Sequence, residues 1–338
     1  MSYVPHVLAT LGWDDRVGAL IADFPAQLVV GRVIRIDRGR ATVATEVGEL
    51  RPRLREPLAV GDWVGVDVAS DFVAAAAPRR SALTRRAAGG ETLAQTLAAN
   101  VDLVLVAQAL HRPVNIRRLE RELVVAWESG ASPIVLLTKA DLCAEPEAEI
   151  AAARTAAAGL DVIAVSVVTG QGLSDLRERL GAGRTFVVIG SSGVGKSTLV
   201  NVLVGEEVQD TGGIRLNDGR GRHTTTAAQL IPLPGGSILI DTPGLREVAL
   251  WEGDEGMAQV FADIDELAAA CRFRDCQHEA EPGCAVRGGV DAARIEGWRR
   301  LGRELVRSAG DRAGWEKAAA HRALRALARS RRDQPYRS

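Results

Sequence analysis

A chain of 338 residues with a formal net charge of −1 has material for two or three domains, and it is too near neutrality to bind polyanions over its whole surface. Hydrophobic residues at 46% and charged residues at 25% fit a globular protein, and four cysteines are too few for a disulfide scaffold. No apolar run approaches the roughly 18 residues of a membrane span, and Asp14 and Asp15 do not fit a signal peptide, so with so few cysteines a cytoplasmic location without membrane contact is expected; a monomer is the separate expectation for its assembly.

Residues 1–27 read as a lead-in, with Leu20, Ile21 and Phe24 on one short helix. Over residues 28–80, the runs Leu28–Ile36, Ala41–Val47, Glu49–Leu54, Asp62–Val68 and Phe72–Ala76 are short, β-rich and divided by turn residues. That spacing predicts a closed five-stranded barrel, an OB-fold by first choice, which either binds RNA or serves only as packing. Pro78–Ala99 carries Arg79, Arg80, Arg85 and Arg86 beside Gly89-Gly90 and reads as a basic linker. Residues 81–250 then alternate between strand and helix. The strands are Val101–Gln108, Pro133–Leu137, Val162–Ser166, Phe186–Ile189 and Ser237–Ile240; the helices are Asn115–Ser129, Pro146–Ala158, Gly172–Leu180 and Lys196–Val204. The chain is therefore read as multidomain α/β, with a mostly parallel sheet, helices on both faces and ligands at the strands' carboxyl ends.

The loops at those ends carry the chemistry. Gly190, Ser191, Ser192, Gly193, Val194, Gly195, Lys196, Ser197 and Thr198 spell G-x-x-x-x-G-K-S between a strand and a helix. The glycines let backbone N–H groups curl around phosphates, Lys196 reaches the outer phosphates, and Ser197 offers a hydroxyl to Mg²⁺. After the second strand, Thr138, Lys139 and Asp141 form T-K-x-D. A carboxylate there accepts from guanine N1–H and its 2-amino group, and the Lys139 stem lies over the base. The run from Ser166 to Gly172 offers backbone N–H groups to guanine O6. Gly219–Thr226 is polar and glycine-rich, and a threonine in such a loop can complete the Mg²⁺ shell. In Asp241-Thr242-Pro243-Gly244, Asp241 is placed to hold Mg²⁺ through water and the Gly244 N–H to meet the γ-phosphate.

These are the elements of a Ras-like P-loop GTPase, but the base-reading loops precede the phosphate loop, so the domain is circularly permuted. The segment after Gly244 then leads straight into the last domain. Leu245 stands where such enzymes carry a water-orienting glutamine, and His223 is the best replacement, either positioning the attacking water or merely pinning its loop. A P-loop kinase or ATPase would have no use for Asp141; an RNA-binding protein with a structural nucleotide, or a permuted GTPase of the large subunit, are the other readings.

Residues 251–338 read as a helical zinc-binding domain with a basic end. Cys271, Cys276, His278 and Cys284 give C-x4-C-x-H-x5-C, a closed Cys₃His set for one structural Zn²⁺. From Arg294 to Ser338 there are 13 Lys/Arg against 5 Asp/Glu, an excess that favours a phosphate-backbone partner. Cys143, His6, His111 and His321 stand alone and read as inert packing or solvated surface.

Gly190–Thr198, Gly219–Thr226, Asp241–Gly244, Thr138–Asp141 and Cys271–Cys284, in this permuted order beside a barrel, resemble the ribosome small-subunit-dependent GTPase A family from about Leu28 onward. The resemblance implies an OB-fold, a permuted GTPase and a zinc domain acting in late maturation of the small (30S) subunit. It further implies contact with 16S rRNA, GTP hydrolysis to GDP when bound to the subunit, and departure afterwards. Carried over, Lys196 and Ser197 hold phosphates and Mg²⁺, Thr225 is the switch threonine and Asp141 selects guanine; Thr138 departs from the commoner asparagine.

Overall fold

The computed structural model describes residues 6–86, 94–205, 228–242 and 254–307. Two helices open the chain, α1 (His6–Thr10) and α2 (Asp15–Leu20), where the sequence suggests one. Asp14 separates them because its carboxylate caps α2, accepting from the Val17 amide at 2.8 Å. Five strands follow: β1 (Val29–Asp37), β2 (Arg40–Thr45), β3 (Gly48–Leu50), β4 (Trp63–Asp67) and β5 (Phe72–Ala76). β1 pairs with β2 and β4, β2 with β3, and β4 with β5. Arg53 closes the ring: its N–H donates to the Asp71 carbonyl at 2.9 Å, and its carbonyl accepts from the Val73 amide at 3.1 Å. The barrel order is thus that of an OB-fold. Alternation along β2 turns Ala41, Val43 and Thr45 inward, and the barrel's interior is Val33, Ala41, Val43, Val64 and Val66.

Pro78–Ala99 is not a linker. β6 (Ala82–Arg86) and β7 (Ala94–Ala99) form an antiparallel hairpin. Its arginines and Ala/Thr content hide the strand signal, while Leu83, Leu97 and Ala98 are buried in the main core.

Next come β8 (Leu103–Ala109), α3 (Ile116–Glu128), β9 (Ser132–Thr138), α4 (Pro146–Ala156), β10 (Val162–Ala164), α5 (Leu173–Leu180), β11 (Thr185–Gly190), α6 (Lys196–Gly205), β12 (Gln229–Pro232) and β13 (Ile238–Asp241). Their order in the sheet is β10-β9-β8-β11-β13-β12, parallel apart from β12. α3 and α4 pack on one face through Leu119, Leu123, Ala153 and Ala156, and α5 and α6 on the other through Leu176, Leu180, Leu199 and Leu203. β12 was not legible as a strand. It joins the two halves, because Gln229 pairs with Arg35 of β1 and makes one sheet of 11 strands.

Where the barrel meets this sheet, Arg32 is 1% exposed. Its Nη1 donates to the Leu11 carbonyl at 2.5 Å and to Thr185 Oγ1 at 2.9 Å; Nη2 donates to the Asn100 carbonyl at 3.0 Å and Nε to the Gly61 carbonyl at 3.2 Å. Burial pulls its pKa down to about 10, partly offset by Asp102. The side chain is charged at neutral pH and also lies against the Trp63 ring, 5.3 Å from its centroid.

Beyond β13 lie α7 (Asp254–Val260), α8 (Ala262–Ala268), α9 (Ala285–Gly289) and α10 (292–307). Two of these helices dock on α3 where glycine allows close approach. A Cβ at Gly256 would meet the Val124 carbonyl at 2.5 Å, and one at Gly297 would meet Glu120 Oε2 at 2.6 Å. Arg294 of α10 forks onto Asp263 at 2.6 and 2.8 Å, donates to the Val260 carbonyl at 2.7 Å and reaches Glu120 Oε1 at 3.4 Å.

Two outcomes follow. Arg32→Met leaves the buried Leu11 and Asn100 carbonyls without a donor, while the Gly61 carbonyl keeps Asn100 Nδ2 at 3.0 Å, and is expected to cost about 3 kcal/mol, read as a fall in the thermal unfolding midpoint. Burial pushes the Glu120 carboxyl up from 4.5 to about 7, so its ionisation opposes folding as pH rises through that range. Glu120→Gln should therefore gain stability relative to wild type between about pH 4.5 and 7 and hold that gain above it, in melts run across the range.

Candidate active site and metal centre

β11 ends at Gly190 and α6 starts at Lys196, so the phosphate-loop motif lies between a strand's carboxyl end and a helix start. At Gly190 (φ +136°) a Cβ would meet the Ala107 carbonyl of β8 at 2.3 Å, and Gly193 and Gly195 also have positive φ. The loop needs glycine at these points. Lys196 folds back over it, its Nζ donating to the Gly190 and Ser191 carbonyls at 2.7 and 2.8 Å. Ser197 and Thr198 are exposed on the first turn of α6.

The Thr138–Asp141 loop is tied directly to this one. Thr138 Oγ1 donates to the Val194 carbonyl at 2.5 Å and lies 3.2 Å from the Gln108 carbonyl. Lys139, in the left-handed region at φ +57°, sends its Nζ to the Gly193 carbonyl at 2.8 Å. The threonine that stands in place of the commoner asparagine thus holds the two loops together. Asp141 Oδ1 accepts from Ser166 Oγ at 2.6 Å, and that hydroxyl accepts from the Val168 and Thr169 amides at 3.2 Å each. Gly172 makes the close turn behind it, since a Cβ there would meet the Ala164 carbonyl at 2.1 Å. Thr138, Lys139, Asp141, Ser166 and residues 190–198 therefore form one contiguous edge of the sheet. Asp241 ends β13, the strand beside β11. His223, Thr225, Gly244 and Leu245 lie outside the described residues.

Two contributors escaped sequence reasoning. Gln108 is the penultimate residue of the otherwise apolar β8 and exchanges hydrogen bonds with Asn115, fixing the start of α3 (Oε1 from the Asn115 amide at 3.0 Å, Nε2 to its carbonyl at 3.3 Å). Glu122 is buried, three residues from Leu119 on the face a helical period assigns to the core. Its Oε1 accepts from Arg118 Nε at 3.0 Å, while its Oε2 is buried without a hydrogen-bond partner. Burial raises its pKa, and Arg118, Arg121 and Lys196 oppose the shift.

The four metal-ligand candidates also converge. Ligand atoms of Cys271, Cys276, His278 and Cys284 lie within 4.8 Å of one another. Cys271 and Cys284 Sγ are 3.9 Å apart, and His278 Nδ1 is 3.7 and 3.5 Å from them. Sulfurs about 2.3 Å from a tetrahedral zinc sit about 3.8 Å from each other, so the donor set fits that ion. His278 is held in place by burial and by Trp298, whose ring centroid is 5.5 Å away.

The RsgA GTPase family model matches residues 76–251, which include both nucleotide loops. A Streptomyces coelicolor protein called small ribosomal subunit biogenesis GTPase RsgA is 46% identical over 319 residues, covering 89% of this chain and 87% of that protein. The chain belongs to the RsgA GTPase family. It is accordingly a GTP hydrolase that takes a guanine nucleotide. YjeQ from Thermotoga maritima superposes with a TM-score of 0.62 at 25% identity, covering 82% of this chain and 98% of that one. YloQ, described as a circularly permuted GTPase, shares the fold, with a TM-score of 0.61 at 24% identity over 84% and 96% of the two chains. The permuted order read from the motifs is thus the family's own. No helix among the described residues is long and apolar enough to cross a membrane.

With Asp141 as the guanine acceptor that the sequence leads us to expect, Asp141→Asn would put an amide donor opposite the base. GTP affinity should fall by about 100-fold or more and XTP affinity should rise, read by nucleotide competition.

Proposed function

We propose that this protein is a GTPase of small-subunit biogenesis that binds the 30S subunit late in its maturation, hydrolyses GTP there and then leaves. The observation carrying the proposal is the direct tie of Thr138 and Lys139 to the Val194 and Gly193 carbonyls, which makes base reading and phosphate binding one site. The near full-length likeness to a protein named for small-subunit biogenesis supplies the setting.

In this reading Asp141, oriented by Ser166, selects guanine. Lys196 exchanges its two loop carbonyls for β- and γ-phosphate oxygens. Ser197, Thr225 and Asp241 hold Mg²⁺, whose charge offsets that of the phosphates. The Gly244 N–H meets the γ-phosphate. His223 positions the attacking water when the subunit is bound, so unaided turnover is slow. The segment from Gly244 leads into α7 on the surface of α3, and nucleotide state thereby acts on the C-terminal domain. The functional units are a barrel over 28–80, the GTPase over 81–250 and a zinc domain over 251–338, in which Cys271, Cys276, His278 and Cys284 hold Zn²⁺ as a structural pin. The barrel and the basic stretch from Arg294 meet 16S rRNA, and the protein works as a cytoplasmic monomer.

Multiple-turnover phosphate release with separated subunits tests the proposal. Small subunits should stimulate wild type, and His223→Ala should lower the stimulated rate by about 100-fold while leaving GTP affinity unchanged. Absence of stimulation, or stimulation by large subunits alone, would overturn the function; equal stimulated rates in mutant and wild type would remove the role of His223.

A further inference from the structure

Beside the phosphate loop lies a cleft of about 200 Å³, lined by neither Lys196 nor Asp141. Ser191–Val194 line it on one side, and residues from Gln108 to Arg118, among them His111, Arg112 and Arg118, complete the lining. His111, read as isolated from the sequence, accepts from Arg112 Nε at 3.1 Å. Loss of water contact, then Lys139 and Arg112, hold its imidazole below the usual range, so the cleft already carries surplus positive charge.

Both arginines are held in the same way. Arg112 is pinned through Nε to His111, and Arg118 through Nε to the buried Glu122 at 3.0 Å. Each keeps the two terminal amino groups of its guanidinium without a protein partner among the described residues. Two such forks facing one small cleft match the oxygens of a phosphate group. Glu122 is the one carboxylate paired in this set, and it is taken by Arg118.

The charge continues away from the cleft. Arg117 is exposed on the next position of α3, and Arg300 of α10 donates to its carbonyl at 3.4 Å. A row of cations running from the cleft onto a second helix suits a chain of phosphates better than a single free anion. We propose that the cleft of His111, Arg112 and Arg118 binds a backbone phosphate of an RNA strand against the outer wall of the nucleotide loop. The proposal rests on the small-subunit reading above and deepens it, because it gives the subunit's RNA a direct contact with residues 191–194. RNA seated there touches the loop whose inner face holds the nucleotide's phosphates, so subunit binding and nucleotide binding share one short segment of backbone.

The test uses the full chain loaded with a non-hydrolysable GTP analogue, with binding to purified small subunits measured over a salt series. Arg112→Gln should weaken binding about 5- to 10-fold and flatten the dependence of log affinity on log salt by about 0.7 to 0.9, the loss of one phosphate contact. Arg118→Lys keeps a partner for Glu122 but loses the fork, and it should weaken binding similarly without unfolding the helix. GTP affinity and unstimulated turnover should not change in either variant. Unchanged subunit affinity in both variants would overturn the proposal. So would weaker binding with an unchanged salt slope, which would put a protein group in the cleft, or a parallel loss of GTP affinity, which would assign the cleft to the nucleotide itself. Wild-type protein that fails to bind small subunits would instead remove the functional reading beneath it.

Discussion

The guanidinium of Arg32 fixes how the barrel sits on the nucleotide-binding sheet. It ties the loop after α1, the turn before β4, the residue after β7 and the first residue of β11 to one point. Among the described residues no carboxylate touches it directly; Asp102, Asp62 and Asp14 act from further away. A buried charge held this way contributes orientation more than net stability, because its desolvation offsets much of what the hydrogen bonds return. Lysine could not substitute, having three donors on a tetrahedral head where four directions in a plane are needed. The constraint reaches the site because Thr185 starts the strand that ends at Gly190.

That strand is also where the permutation becomes intelligible. Sheet order depends on which strands pair, whereas chain order depends only on which ends are joined. β8, β9 and β10 precede β11 in sequence, yet they deliver 138–141 and 166–172 to the same edge as 190–198. The hydroxyl of Thr138 and the ammonium of Lys139 then close the gap between loops far apart in the chain. Thr138 fills that bridging role with a shorter side chain because the Val194 carbonyl lies within reach of a β-hydroxyl.

What the sequence made legible was whatever had a local cause. β8 and β11 are continuous apolar runs and were placed to within two residues; the glycines of 190–195 are demanded by positive φ and a close neighbouring strand. The ligand set at 271–284 is stated by spacing alone. The misses have non-local causes. The β6–β7 hairpin is built of Ala, Thr and Arg, and it is a hairpin only because Leu83 and Leu97 find a core supplied by other elements. β12 is four residues long and exists through its pairing with β13 and the barrel. The two helices before Leu28 belong to no amphipathic period, yet Leu8, Leu11 and Val17 are buried because Arg32 anchors the loop between them.

α3 shows why such contacts matter for function. Glu120 and Glu122 are two residues apart, roughly 200° around a helix, so they face opposite sides. An ordinary surface helix cannot bury both. Here they are 2% and 8% exposed, because α10 covers the first and the second is turned in beneath Arg118. Desolvation raises the pKa of each, which means each carboxylate sits in a place that penalises its charge. A shift of α10 that admits water relieves the penalty on one; a shift of Arg118 that strips its Nε from Glu122 increases the penalty on the other. The helix therefore has an energetic stake in both the C-terminal docking and the cleft behind the nucleotide loop.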